Sequence, residues 1–272
     1  MALKGKKLLG SKVEHDAVLS WISTTLETSM DGRVTVENPT QSALQLANSE
    51  TGIIQDLPKN LAASDLTQAF GKIPLAFSWL GIGLGVISGH KIGGPKGIGA
   101  LVINGDLDVE PLIVGGGQEK GIRAGTEYVI AIAGFGAAAE ASSKDLNAGL
   151  WDEVSGIRDT LEGFIETETD DTVIVGKKAD RLPNTSCFAV PGWKSEVQVM
   201  QMDLAGFSIS AGSACSSGKV KKSKVLEAMG YSEEVNKSAV RVSLGLQTNI
   251  EDIEKFFHSW NSSKKFFQAR VT

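Results

Sequence analysis

Apolar residues in this chain recur in short runs with two different spacings. The runs at 7–13, 33–36, 43–47, 85–88 and 100–103 predict strands, while the spacing over 17–28 and the alanine-rich stretch 127–142 predict helices. Alternation of this kind predicts an α/β layer with a largely parallel sheet. The texture changes near residues 142–148. An amphipathic helix is predicted over 151–166, with Val154, Ile157, Leu161 and Ile165 on one face. Strands are predicted at 173–175, 186–190, 207–210 and 239–244, and helices over 220–229 and 250–266. The reading is a large domain over 1–145 and a smaller α+β domain over 146–272, with no internal repeat or low-complexity tract.

Composition narrows the function classes. With 42% hydrophobic and 22% charged residues in a chain of 272, the balance is that of a globular protein. A net charge of -5 gives no basic footprint for nucleic acid. The two cysteines, Cys187 and Cys215, make no disulfide framework, which points to a reducing cytoplasm. His15, His90 and His258 are scattered, and no Cys/His spacing reads as a metal site. The start, Met1-Ala2-Leu3-Lys4-Gly5-Lys6-Lys7, has no long apolar region and is not a signal peptide. Residues 73–89 carry no charge, but Pro74, Gly81, Gly83 and Gly85 interrupt them, so a buried strand region is expected rather than a membrane span.

The chemistry concentrates in Ser88-Gly89-His90-Lys91, followed by Ile92-Gly93-Gly94-Pro95-Lys96-Gly97-Ile98-Gly99. A lysine beside a hydroxyl, an imidazole and a glycine run is what a buried, aldehyde-binding lysine needs. Its amine is nucleophilic only when partly neutral, which desolvation promotes. Glycines allow backbone to approach a bulky ligand, and Ser88 and His90 can donate to a phosphate. The same window also fits a surface turn in a Gly-rich loop. It is not a P-loop, because His90 separates Gly89 from Lys91 and Ile92 follows. Gly81-Ile82-Gly83-Leu84-Gly85 has the wrong spacing for a dinucleotide fingerprint.

Other segments make sense if Lys91 holds pyridoxal phosphate. The pyridine nitrogen of that cofactor must stay protonated, and Asp65 is the candidate carboxylate beside it. Gln68 and Asn48 could donate to the ring hydroxyl oxygen. Taken singly, Asp65 also reads as a turn or helix cap and Asn48 as a strand-end turn. Cys215 lies in Ser210-Ala211-Gly212-Ser213-Ala214-Cys215-Ser216-Ser217-Gly218, a small-residue stretch expected to be a loop. Lys219, Lys221, Lys222 and Lys224 follow it and favour a thiolate. Cys187, in a strand pattern, reads as a core cysteine. Arg241 is a charge inside the apolar run Ala239-Val240-Arg241-Val242 and needs an acidic partner, either a carboxylate of the protein or that of a substrate.

Together these stretches closely resemble the cysteine desulfurases of the NifS/IscS-like group, in the class V aminotransferase fold type. The resemblance is carried by residues 13–19, 48–55, 88–101, 115–127 and 210–218, supported by 240–245, and spans nearly the whole chain. It implies fold type I of the pyridoxal-phosphate-dependent transferases, and conversion of L-cysteine to L-alanine. Lys91 would condense with the cofactor aldehyde and act as acid and base. His15 would stack on the ring and assist proton transfer, and Asn48, Asp65 and Gln68 would hold the ring. Ser88 and His90 would bind the phosphate, and Thr126 would reach the phosphate of a neighbouring subunit, implying a homodimer. Arg241, with Asn48, would bind the substrate carboxylate. Cys215 would take the sulfur as a persulfide for an acceptor protein, as in supply of iron–sulfur clusters or thio-cofactors.

The chain opens just before the His15 motif. The family's Gly-Ala-Thr-Glu phosphate turn therefore has no match here, and the stretches on either side of Asn48 look shortened, with no strand pattern leading into Asp65. Reduced cofactor occupancy and activity are expected from this. Two other readings stand beside the first: a non-catalytic relative that keeps the fold and binds a partner, and another class V enzyme such as a selenocysteine lyase.

Overall fold

The computed structural model describes residues 7–105, 107–212 and 222–271. They form two compact units, one of Met1–Glu27, Val34–Ala47 and Gln55–Ala148, the other of Thr28–Arg33, Asn48–Ile54 and Gly149–Thr272.

The first unit contains β1 (Leu8–Ser11), α1 (Asp16–Leu19), β2 (Ile22–Leu26), β3 (Ala63–Asp65), α2 (Phe77–Leu80), β4 (Leu84–Ser88), β5 (Gly99–Ile103) and α3 (Val129–Asn147). β1 pairs parallel with β2, and β3 parallel with β4. The extended residues 42–46 join the two pairs through parallel bridges Leu9↔Ser42 and Ala43↔Ala63. A two-stranded sheet β2-β1 and a three-stranded sheet β3-β4-β5 are thereby linked edge to edge, and only β5 runs antiparallel. Leu8, Ile22, Ala43, Ala63 and Leu84, one from each of five neighbouring strands or bridges, are buried together. That row is one part of the first unit's buried apolar core, which also takes in Leu44, Leu61, Leu66 and Ile82.

Three expectations change here. Residues 33–36 form no strand, only an isolated bridge at Val34. Residues 17–28 are not a helix: a short α1 gives way to β2. Val18, Leu19, Ile22 and Leu26 fit a helical spacing, but Ile22-Ser23-Thr24-Thr25 is rich in β-branched residues, and pairing with β1 takes it. Conversely, Asp65 does end a strand, although Ala62-Ala63-Ser64 carries no strand pattern; β3 forms because Ala63 and Ser64 pair with Leu84 and Gly85. The uncharged stretch 73–89 becomes α2 and β4. Among the described residues, no helix is long and apolar enough to cross a membrane.

The second unit contains α4 (Leu150–Glu168), β6 (Val173–Ile174), β7 (Thr185–Ala189), α5 (Ser195–Leu204), β8 (Ser210–Ala211), α6 (Lys224–Ala228), α7 (Glu233–Ser238), β9 (Ala239–Ser243) and α8 (Ile250–Val271). Its sheet is antiparallel, in the order β6-β7-β9-β8. β7 is buried along its whole length, and Phe188 packs edge-on against Trp260 of α8 at 5.2 Å. Val154, Leu161 and Ile165 of α4 close the same core. Gln198 satisfies part of the polar inventory inside it, while Trp193 Nε1 stays buried without a partner. Gln198 accepts from Trp260 Nε1 at 3.1 Å and donates to the carbonyls of Trp193 and Ser238.

A buried ion pair ties α4 to the strand region. Glu162 accepts both Arg181 Nη1 and Nη2, at 2.6 and 2.7 Å, and also the hydroxyl of Ser186 on β7. Removing one member of such a pair strands the other charge in a poor solvent. Glu162→Ala should therefore lower the unfolding free energy by about 3–5 kcal/mol in urea titrations. A midpoint unchanged from the parent would show that Arg181 finds water instead.

Candidate active site

Chain direction positions the chemistry of the first unit. His15 follows β1, Asp65 ends β3, and Ser88 ends β4, so all three sit at the carboxyl ends of parallel strands, where open α/β sheets bind ligands. After Ser88 the chain makes a single tight turn over Gly89–Ile92, closed by Gly93 at φ 81°. It then folds back into β5. The fold-back needs backbone contact closer than a side chain permits. A Cβ on Gly99 would lie 2.4 Å from the Ile87 carbonyl oxygen, and one on Gly94 2.9 Å from that of Gly89. Gly94 and Gly99 therefore serve the hairpin that presents Lys91.

Each polar side chain at this edge is oriented locally. Asp65 Oδ1 accepts Thr67 N–H at 2.9 Å, the expected turn cap, which leaves the other oxygen for a second donor. The ammonium of Lys72, a buried residue, donates to the Gln68 carbonyl at 2.8 Å and lies 3.4 Å from Gln68 Oε1. Lysine can only donate, so the amide oxygen faces Lys72 and the amide N–H₂ faces elsewhere. His15 caps α1, its Nδ1 accepting Ala17 N–H at 3.2 Å, which puts the ring proton on Nε2. Ser88 Oγ and His90 Nδ1 are 2.8 Å apart. With Nδ1 protonated, His90 donates to Ser88 and frees the serine proton for an anion. Such burial as His90 has, then the charges of Lys91, Lys96 and His15, lower its pKa.

Lys91 itself departs from expectation: within this chain it is exposed, not buried. The tight turn lifts it off the end of β4, so the desolvation expected of an aldehyde-binding lysine does not come from the chain's own packing. Thr126 is also exposed, next to Gly125, whose carbonyl accepts Arg123 Nη1 at 2.7 Å.

Three candidates belong to the second unit. Asn48 is buried and forms the strand-end turn, its Oδ1 accepting Glu50 N–H, Thr51 N–H and Thr51 Oγ1. Arg241, on β9, donates from Nη1 to the Ser49 carbonyl at 2.8 Å and from Nη2 to Ser210 Oγ at 3.2 Å. Its Nε is buried without a partner, and no carboxylate among the described residues pairs with it. Among the described residues Arg241 therefore makes no structural salt bridge. Cys187 is fully buried, and burial pushes its thiol up to about 12, as a core cysteine requires. Cys215 lies outside the described residues, as do Lys219 and Lys221. Lys222 pairs with Glu233 at 2.8 Å.

Sequence reasoning overlooked Glu14. It is buried, with Oε1 accepting Gln45 N–H at 2.7 Å and Oε2 without a partner, while Gln45 Nε2 returns a bond to the Val13 carbonyl. Burial, and after it the charge of Asp65, push its pKa up to about 8 against the Gln45 bond. Nothing local announces this, because Gln45 and Asp65 are distant in sequence.

The donor set suits pyridoxal phosphate. It offers an amine for the aldehyde (Lys91), a free carboxylate oxygen for the pyridinium N–H (Asp65), an amide donor for the ring hydroxyl (Gln68) and an anion donor in Ser88, whose proton His90 frees. The comparisons agree. Residues 5–256 match the family described as aminotransferase class-V. The chain belongs to this family of pyridoxal-phosphate-dependent enzymes. Within it the chain stands with the cysteine desulfurases. It is 34% identical to cysteine desulfurase IscS of Dictyoglomus turgidum, over 93% of this chain and 71% of that one. It is likewise 34% identical to a cysteine desulfurase of Cereibacter sphaeroides, over 92% and 70%. A solved NifS-like protein from Rickettsia africae superposes with TM-score 0.82 at 30% identity, covering 96% of this chain and 76% of that one.

The raised pKa of Glu14 has a thermodynamic signature. Its folded value lies near 8, against an ordinary 4.5, so the folded state keeps a proton that the unfolded chain releases. Its contribution is full below the ordinary value and is lost as pH rises through the folded one, at about 1.4 kcal/mol per pH unit in between. Glu14→Gln keeps the acceptor for Gln45 and cannot ionise. Melting curves of parent and variant should nearly coincide at acid pH and separate in favour of the variant at alkaline pH. Parallel curves across that range would mean that Glu14 is ionised throughout.

Proposed function

We propose that this protein is a pyridoxal-phosphate-dependent cysteine desulfurase that releases L-alanine from L-cysteine and carries the sulfur on Cys215. The observation that carries this reading is the edge of parallel strands at which Lys91, Ser88, His90, Asp65 and His15 gather, in a chain of this family. When bound, pyridoxal phosphate supplies the aldehyde and the electron-accepting ring. Lys91 would supply the amine for the aldehyde and then move a proton at the substrate α-carbon. Asp65 would accept the pyridinium N–H, Gln68 and Asn48 would hold the ring hydroxyl, and Ser88 and His90 would hold the phosphate. His15 would stack on the ring and hand on a proton from Nε2. Arg241, which has no carboxylate partner among the described residues, takes the α-carboxylate of cysteine through its fork, with Asn48 beside it. The Cys215 thiolate attacks the substrate sulfur. The S–S bond forms as the C–S bond breaks, leaving a persulfide on Cys215, and a proton on the former carbon completes alanine.

A homodimer fits this reading, with Thr126 reaching the neighbour's phosphate. Around Thr126 the chain exposes Ile113, Val114, Val129 and Ile130, at 59%, 77%, 68% and 77%. Exposed apolar residues of this kind support an interface there. The persulfide suits a sulfur-acceptor protein, for supply to iron–sulfur clusters or thio-cofactors, and a reducing cytoplasm suits a chain whose two cysteines make no disulfide framework.

Two experiments test the assignment. Borohydride should fix the cofactor on Lys91, and Lys91→Ala should abolish the visible absorbance. Cys215→Ala should keep that absorbance but lose sulfide release, while Cys187→Ala keeps both. Trapping on another lysine, or undiminished sulfide release without Cys215, would sink the scheme.

Arg241→Lys keeps the charge and loses the planar fork. Spectral titration with L-cysteine should then require about tenfold more substrate or above, the equivalent of one lost bond to a charged group. An unchanged titration would make Arg241 a support for Ser49 and Ser210 only.

A further inference from the structure

His15 stands exposed on a turn that its own neighbours cannot hold against the sheet. The helix it caps, α1, has four residues and buries none of them. Its ring accepts Ala17 N–H and its carbonyl accepts Val18 N–H at 2.8 Å, so these bonds travel with the turn. The anchor lies just before it, where Val13 and Glu14 are both buried. Two bonds reach that point from one residue of the extended stretch 42–46. Gln45 N–H donates to Glu14 Oε1 at 2.7 Å, and Gln45 Nε2 donates to the Val13 carbonyl at 2.8 Å.

Strand pairing does not require the second of these bonds. Leu44 N–H donates to the Ala63 carbonyl at 3.1 Å, and Leu46 N–H to the Asp65 carbonyl at 2.9 Å. Both are backbone bonds that any side chain at position 45 allows. Ala43, Leu44, Leu46 and Ala47 are buried and apolar, and Gln45 is buried among them. A buried amide is costly unless it is hydrogen-bonded. The amide at this position makes a bond that an apolar residue could not, and the bond goes to the peptide joining Val13 to Glu14, just short of His15. The next residue along the same stretch, Leu46, holds the backbone of Asp65.

We propose that Gln45 is a positioning residue, which latches the His15 turn to the stretch that also holds Asp65. The consequence rests on the desulfurase reading, in which His15 would stack on the cofactor ring and Asp65 would meet its nitrogen. The face and the edge of one planar ring would then be met by two groups that take their places from a single stretch of backbone. Misplacing one reacting group against another lowers rate more than binding. A hydrogen bond left unmade at a buried carbonyl shifts such an equilibrium by about tenfold.

Amide exchange of the full-length protein without cofactor, read residue by residue by NMR, tests the latch apart from turnover. Gln45→Met keeps the length of the side chain and removes its donor. Exchange should quicken about tenfold at residue 45 and at Glu14. Leu44 and Leu46 should stay as they are, because their bonds to β3 remain. Gln45→Leu, apolar as its neighbours are, gives the same comparison should Gln45→Met fail to fold. With L-cysteine and saturating pyridoxal phosphate, Gln45→Met should lower kcat for sulfide release about tenfold at unchanged KM. In a His15→Ala background the same substitution should change kcat little further, as coupled partners do, whereas a loss through packing alone would persist there. Unchanged exchange at residue 45 and Glu14, a rise shared by Leu44 and Leu46, or an equal loss of kcat with and without His15 would overturn the assignment. An unaltered protein that forms no sulfide would instead sink the desulfurase reading, and the exchange comparison would still decide for or against the latch.

Discussion

In the first unit β2, β1, residues 42–46, β3 and β4 all run in one direction, so the chain must leave each of them at the same edge. Parallel pairing cannot be closed by tight hairpins, and the connections have to be longer crossovers. The edge where strands end therefore collects irregular backbone, and with it side chains free of ladder geometry. His15, Asp65 and Ser88 gather for that reason. The one reversal, β4 into β5, is a hairpin stitched by the Gly89 amide to the Ile98 carbonyl, and Lys91 stands in its turn.

Orientation at this edge comes from neighbours close in sequence, and each neighbour removes an ambiguity. Thr67 occupies one oxygen of Asp65, Lys72 decides which end of the Gln68 amide faces it, and Ala17 decides the tautomer of His15. A carboxylate, an amide and an imidazole that could each turn either way are reduced to one acceptor, one donor and one proton-bearing nitrogen. Glu14 contributes differently. Held neutral by burial, it joins the His15 turn to Gln45 without placing a second full negative charge near Asp65.

What the sequence made legible follows the range of the forces involved. The strands on both sides of the lysine turn, α4 and α8 appear where periodicity predicts them, because burial of a repeating face acts over a few residues. β2 was misread because a helical spacing and a run of β-branched residues coincide there, and only the neighbour β1 decides between them. β3 is too short to carry a pattern, and its partner defines it. The sequence leaves the exposure of Lys91 open between a buried lysine and a surface turn, since a turn's height above a sheet depends on how the hairpin folds back. The links of Glu14 to Gln45 and of Glu50 to Ser223 join residues 31 and 173 positions apart, and no local pattern encodes them.

The aromatic core of the second unit also makes the molecule its own optical probe. Trp193 and Trp260 are sealed among rings, whereas Trp21 and Trp79 of the first unit stand 53% and 85% exposed. Emission from the buried indoles is blue-shifted, and that from the exposed ones is close to indole in water. Red-edge excitation isolates the water-facing indoles of the first unit. Loss of the blue component marks melting of the second unit's core. The two halves can thus be followed separately in one cuvette, without a label.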